Sequence, residues 1–230
     1  MINTYSESQL HKTLKNLYAA EFNGKVEQEI NGKICDILTE DNRIIEIQTG
    51  NLSKLKDKLE CLTPHYKTII VYPLVTKKII ETYNQEGTVI STRRSPKKQN
   101  LFSIFKELTA IYPYLSEKKI ILEVLETEIT EIRIKTENPV QLKNKSRRFR
   151  KNWYKTDKKL NSILNKHIFT STKDLLTILP QNLPLIFSNK DLAQAGAKND
   201  SGYITWILKR TEDIIFVEKR NKTNFFKINK

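Results

Sequence analysis

Lys33-Ile-Cys-Asp-Ile-Leu-Thr39, Glu40-Asp-Asn42 and Arg43-Ile-Ile-Glu-Ile-Gln-Thr49 form one continuous stretch. Two apolar, β-branched runs flank three polar residues, which is the pattern of a β-hairpin. Counting outward from Asp41 pairs Thr39 with Arg43, Leu38 with Ile44, Ile37 with Ile45 and Asp36 with Glu46. The spacing thus predicts two carboxylates facing each other across a ladder. Like charges placed that way are destabilising, and a carboxylate within an apolar strand is costly unless something neutralises it. A divalent cation would do so, since hard cations take oxygen ligands from Asp and Glu. Gln48, two residues past Glu46, is expected on the same face. The plain alternative is a strand end where both acids reach solvent.

Working upstream, Val26-Glu-Gln-Glu-Ile30 alternates as a short strand, and Asn31-Gly32 is a type I′ turn signal leading into the hairpin. Ser6-Glu-Ser-Gln9 reads as a capping box with Ser6 at N-cap, and Leu10, Leu14, Leu17 and Tyr18 extend it into an amphipathic helix over 7–21. Glu7 lies at the start of that helix and His11 one turn on, where it would share the cleft of the two acids.

Downstream, Leu52, Leu55, Leu59 and Leu62 stripe a helix ended by Thr63-Pro64, with Lys54 and Lys58 off the stripe. Thr68 to Leu74 is apolar on both faces, as a central strand is. The order α-β-β-β-α-β therefore predicts a mixed sheet, with helix 52–62 as the crossover that lays this strand beside 43–49. Lys77–Tyr83 reads as a further strand, Arg93–Lys98 as a basic loop, Leu101–Tyr112 as a helix and 120–136 as closing strands.

The formal charge of +14 is uneven. Residues 137–230 hold 20 Lys or Arg against 8 Asp or Glu, while the first 136 are nearly balanced. A neutral half joined to a basic half points to a polyanion, DNA above all. Residues 137–158 set Arg147, Arg148, Arg150 and Lys151 among Phe149, Trp153 and Tyr154, a composition for stacking on bases or for anchoring to a core. The expected division is 1–136 as one domain, 137–158 as a basic linker and 159–230 as a small α+β unit. In the last, a helix begins at Ser171 or Thr172, a short capped helix at Ser188 and another at Asp200 or Ser201, and a hairpin turns at Asn221-Lys-Thr223. That is the order of a winged helix-turn-helix. Its third helix would present Tyr203, Lys209 and Arg210 to DNA, and its wing Lys219, Arg220 and Lys222. Such units also bind proteins.

No run approaches the roughly 18 apolar residues of a membrane helix. Met1 to Glu7 lacks the marks of a secretory signal, and Cys35 and Cys61 read as buried, reduced thiols. The expectation is a cytoplasmic protein with no membrane partner.

Asp36, Glu46-Ile-Gln48, the acidic start of the first helix and the α-β-β-β-α-β order resemble the PD-(D/E)XK nuclease superfamily of restriction enzymes and Holliday-junction resolvases. Ser8-Gln-Leu-His11, Glu46-Ile-Gln-Thr49, the Arg/Lys-Trp segment at 147–153 and the C-terminal unit look like a bacterial family of such nuclease-like proteins. The resemblance implies a restriction-endonuclease-like α/β fold, a mixed sheet flanked by helices, carrying a winged-helix domain. It implies a metal-dependent DNA endonuclease using Mg²⁺ (or Mn²⁺), in which a homodimer cuts both strands. Asp36 and Glu46 would be the metal ligands with the carbonyl of Ile47, Glu7 would complete the shell and Gln48 would position the water. Gln48 departs from the usual Lys, a charge that Lys54 or Lys58 would restore. The alternative is a nuclease-like DNA-binding regulator or scaffold without catalysis.

Overall fold

The computed structural model describes residues 7–141 and 149–229. Helix α1 (Gln9–Glu21) opens the chain, capped by the Ser8 side chain, which accepts from the His11 N–H. Ser8 therefore replaces the expected Ser6 as N-cap, and Glu7 stands just ahead of the helix rather than on it. Strands β1 (Lys25–Ile30) and β2 (Lys33–Leu38) pair antiparallel across Asn31-Gly32, both at positive φ as a type I′ turn demands. Strand β3 (Ile44–Ile47) follows. The crossover is a 3₁₀ turn (Leu52–Leu55) continued by α2 (Lys56–Leu62), and it delivers β4 (Thr68–Tyr83) parallel to β3. The expected crossover and central strand are both present.

Beyond this point the elements are longer than composition suggested. Lys77–Tyr83 continues β4 and pairs with β5 (Val89–Arg94), so Arg93 and Arg94 belong to a strand, not to a basic loop. The expected helix 101–112 is two short ones, α3 (Ser103–Leu108) and α4 (Tyr112–Ser116), the second carrying Pro113 in its first turn. The closing strands are one, β6 (Ile120–Val140), parallel to β4 along its length. Strand β7 (Lys151–Phe169) returns antiparallel to β6, giving the order β1-β2-β3-β4-β6-β7 with β5 on β4. The end of the expected linker, 151–158, and the first residues of the expected small domain, 159–169, are thus the last strand of the sheet. Its sequence hid this because β7 has no strand on its outer side among the described residues, and most of its side chains meet water.

Helix α1 packs Leu10, Leu14 and Tyr18 on one face of the sheet, against Ile37, Ile45, Ile47, Ile69 and Val71. The other face buries Leu52, Leu55, Leu59, Ile70, Tyr72 and Phe105 in a core that runs on into Phe187, Ile204, Leu208 and Phe226. The last sixty residues therefore share their core with the sheet. They comprise a 3₁₀ helix (Lys173–Ile178), β8 (Phe187–Ser188), α5 (Asn189–Leu192), α6 (Ser201–Arg210), β9 (Ile214–Arg220) and β10 (Thr223–Ile228). Ser188 and Asp191 close a capping box on α5, and Gly196 at φ 111° makes the turn towards α6. Strands β8, β10 and β9 form a separate three-stranded sheet.

Candidate active site

The hairpin register is the expected one at its base: Leu38 pairs with Ile44 and Ile37 with Ile45. Antiparallel alternation would make Cys35 and Ile47 the next mutually bonded pair. Instead the Asp36 carboxylate enters, its Oδ2 accepting the Ile47 N–H at 2.8 Å. Glu46 answers from β3, its Oε1 accepting the Asp36 N–H at 3.4 Å. Each acid thus takes a backbone donor from the strand carrying the other, and both sit where β2 and β3 part. Because Ile47 presents its polar groups toward β2, its carbonyl faces the same opening.

Two basic side chains flank the acids. Lys58 on α2 places Nζ 2.6 Å from Glu46 Oε2, and His11 on α1 places Nε2 3.4 Å from Asp36 Oδ2. His11 also bonds Glu7 through Nδ1, and Lys15 bridges Glu7 and Glu27 at 2.8 Å to each. Glu7 is therefore joined to Asp36 through His11. Glu46 is 2 % exposed. Burial, reinforced by the Asp36 carboxylate, pushes its carboxyl up to about 7 despite Lys58. Burial acts the same way on Asp36, but the His11 hydrogen bond and charge outweigh it and hold Asp36 below the usual range. His11 loses from burial and gains more from Asp36 and Glu7, so its pKa is raised. One acid is ionised and the other poised to gain or lose a proton near neutrality.

Gln48 is not engaged with the acids: its Nε2 donates to the Asn51 carbonyl at 2.9 Å. Of the two lysines on the crossover, Lys58 reaches the site and Lys54 is exposed. His11 was legible from its position one turn after Glu7, and Lys15 another turn along was not singled out. Cys35, fully buried, lies against the site and its thiol is pushed up to about 11 by burial and then by Glu46. Cys61 is only partly buried, and both thiols are free. Among the described residues no three His, Cys, Asp or Glu side chains converge as a metal cluster. The donor set is two carboxylates and a carbonyl, which suits Mg²⁺, an ion that keeps several waters and is bound through one or two carboxylates.

The residues expected to meet nucleic acid are scattered. Arg147 and Arg148 lie outside the described residues. Arg150 and Lys151 are exposed, and Trp153 is covered by the Arg133 guanidinium at 3.7 Å from its ring centroid. On α6, Tyr203 and Lys209 are exposed, and Arg210 stacks at 4.2 Å on Trp206, which itself meets Tyr112 edge-on. Lys219, Arg220 and Lys222 crown the β9–β10 turn, where Arg220 pairs with Glu218.

The fold is a mixed α/β sheet flanked by helices. No helix among the described residues is long and apolar enough to cross a membrane. Residues 8–170 match the domain of unknown function DUF8091, and the chain belongs to that family. A Treponema pallidum (strain Nichols) protein described as uncharacterized is 29% identical over 98% of this chain and 87% of its own length. No solved structure matches the chain.

Proposed function

We propose that the protein is a metal-dependent DNA endonuclease of the PD-(D/E)XK kind, with the site at Asp36 and Glu46. The observation that carries this reading is the meeting of two inward carboxylates at the parting of β2 and β3, with Lys58 at 2.6 Å supplying the charge that Gln48 lacks. A buried pair whose second acid is pushed up to about 7 is short of positive charge, which is the condition a cation relieves. Asp36, Glu46 and the Ile47 carbonyl would hold Mg²⁺, with Glu7 reaching it only through His11 or a water. Bound there, the ion would activate a water and stabilise charge on a phosphodiester oxygen. Lys58 keeps Glu46 oriented and offers a second cation to that oxygen. His11, held between Glu7 and Asp36, fixes Asp36 on its backbone donor and can carry a proton.

The C-terminal unit is the substrate-holding part of this reading. Its order of helix, strand, helix, turn, helix and hairpin supports a winged helix-turn-helix, with Tyr203 and Lys209 on the reading helix and Lys219 and Lys222 on the wing. One observation favours the second reading, a DNA-binding scaffold without catalysis. The Gln48 amide donates to Asn51, and each acid already has a basic side chain beside it.

Cleavage of plasmid, branched and single-stranded DNA in Mg²⁺ or Mn²⁺ separates the two, with Asp36→Ala as the control. The first reading expects cleavage that Asp36→Ala abolishes. If wild type and Asp36→Ala are equally inactive on every substrate, the enzyme reading fails and the scaffold stands.

A further inference from the structure

Another inward carboxylate lies on β6. Glu131 is 1 % exposed and meets three cations: Arg133 at 2.5 Å, Lys155 at 2.7 Å and Lys78 at 3.3 Å. Directly across the ladder stands Lys158, half-buried and without an ion pair among the described residues. Lys78, Lys155, Lys158 and Glu131 line a cleft of about 580 Å³, whose far wall is the Pro96–Gln99 segment with Lys97 and Lys98. Five lysines thus face one carboxylate. That carboxylate is already shared among three cations, so the cleft carries a surplus of positive charge, and a cleft lined by one sign of charge concentrates the opposite one.

The place of the cleft gives the surplus a use. Strands β4 and β6 run on past the carboxyl end of β3, and the cleft occupies the step this leaves, with Thr49 on its lining. Open α/β sheets bind ligands outside the carboxyl ends of their strands. Thr49 is three residues from Glu46, and the Gln9 N–H at the head of α1 donates to Asp157, the neighbour of Lys158, at 2.9 Å. The cleft therefore shares Thr49 with the chain leaving the Glu46 strand, and its β7 wall is tied to the head of the helix that carries His11.

We infer that this cleft is a phosphate-binding site, which holds a backbone phosphate of a nucleic-acid strand beside the Asp36–Glu46 pair. Burial and the neighbouring Lys155 hold the Lys158 ammonium below the ordinary lysine range, and a bound anion would reverse that. Lysine serves phosphate as a compact point charge, so the site reads the backbone and not the base. The inference extends the nucleic-acid reading above but does not need cleavage.

The test is binding in EDTA, at low ionic strength, of a fluorescent single-stranded oligonucleotide and separately of pyrophosphate. Lys158→Gln removes a cation with no ion pair to lose, so it should leave thermal stability unchanged and weaken oligonucleotide binding by about fivefold. Lys155→Gln combined with Lys158→Gln should weaken it by more than about tenfold and flatten its salt dependence. Oligonucleotide bound more tightly than pyrophosphate identifies a strand as the source of the phosphate, whereas the reverse order identifies a free oligophosphate; both leave the site standing. If folded Lys158→Gln and the double variant bind both probes as wild type does, the cleft is no phosphate site, whatever the cleavage assay shows.

Discussion

Glu131→Gln isolates the electrostatics of the lysine cleft. The carboxyl of Glu131 is opposed by burial, yet the hydrogen bonds of Lys155 and Arg133 and the charge of Lys78 hold it down to about 2, against an ordinary 4.5. Each pKa unit is worth about 1.4 kcal/mol, so the raw gap comes to about 3.5 kcal/mol. Lys155 is 45% exposed, and screening there reduces the figure to about 2 kcal/mol. Because the folded pKa is depressed, the stabilisation is complete above pH 4.5 and is lost as pH falls towards 2. Glu131→Gln should therefore cost about 2 kcal/mol at pH 7, a fall of roughly 4–8 °C in Tm for a chain of this size. Urea unfolding at pH 7 and at pH 3 measures the difference, which should shrink on acidification. Added pyrophosphate should restore more stability to Glu131→Gln than to wild type, since the variant has no internal anion competing for the lysines. Equal stability at pH 7, or a deficit that persists unchanged at pH 3, would refute the argument.

Other expectations follow from the hairpin. The carboxyl of Glu46 is raised from 4.5 to about 7, so its contribution is fully present below pH 4.5 and lost as pH rises through 7. Denaturant titrations should show wild type losing about 1–3 kcal/mol between pH 5 and pH 8 at this group, and Glu46→Gln losing much less. Lys58→Met leaves Glu46 without its cation; cleavage should drop by more than about a hundredfold while oligonucleotide affinity in EDTA stays within a factor of about three. A Cβ at Gly24 would stand 2.3 Å from Ile37 Cγ2 and 3.3 Å from the Leu38 carbonyl. Gly24→Ala should cost about 1–3 kcal/mol by thermal unfolding and disturb the strand that carries Asp36.

The hairpin was legible because two strong local signals agreed: a polar three-residue turn and β-branched runs whose alternation put Ile37 and Ile45 inward. That agreement fixed the register to the residue, and with it the meeting of Asp36 and Glu46. It did not foresee that the acids would enter the ladder and take backbone donors, because side-chain reach is not written in spacing. Nor is it written there that the Gln48 amide donates to the Asn51 carbonyl three residues on. The lysine cleft has a signal of its own in the sequence. Leu125, Thr127, Ile129 and Glu131 occupy successive inward positions of β6, so Glu131 poses the same question as Glu46 did. Strand β7 was the hardest element to find. Its residues alternate weakly, and its pairing with β6 shifts register four times along its length. Only a partner more than ten residues away in sequence makes Lys151–Phe169 a strand at all.

The outer margin of β7 has a consequence for solubility. A strand of 19 residues whose outer edge meets no other strand among the described residues is a template on which a second copy can build, and proteins blunt such margins with lysines and bulges. Here Lys151, Lys155, Lys158, Lys159 and Lys166 stud the strand, and its irregular pairing interrupts the flat ladder that stacking needs. The lysines that would receive a phosphate are therefore also gatekeepers against self-association. Neutralising Lys155 and Lys158 together should lower the concentration at which the protein aggregates, and restoring charge elsewhere on β7 should recover solubility without recovering the ligand.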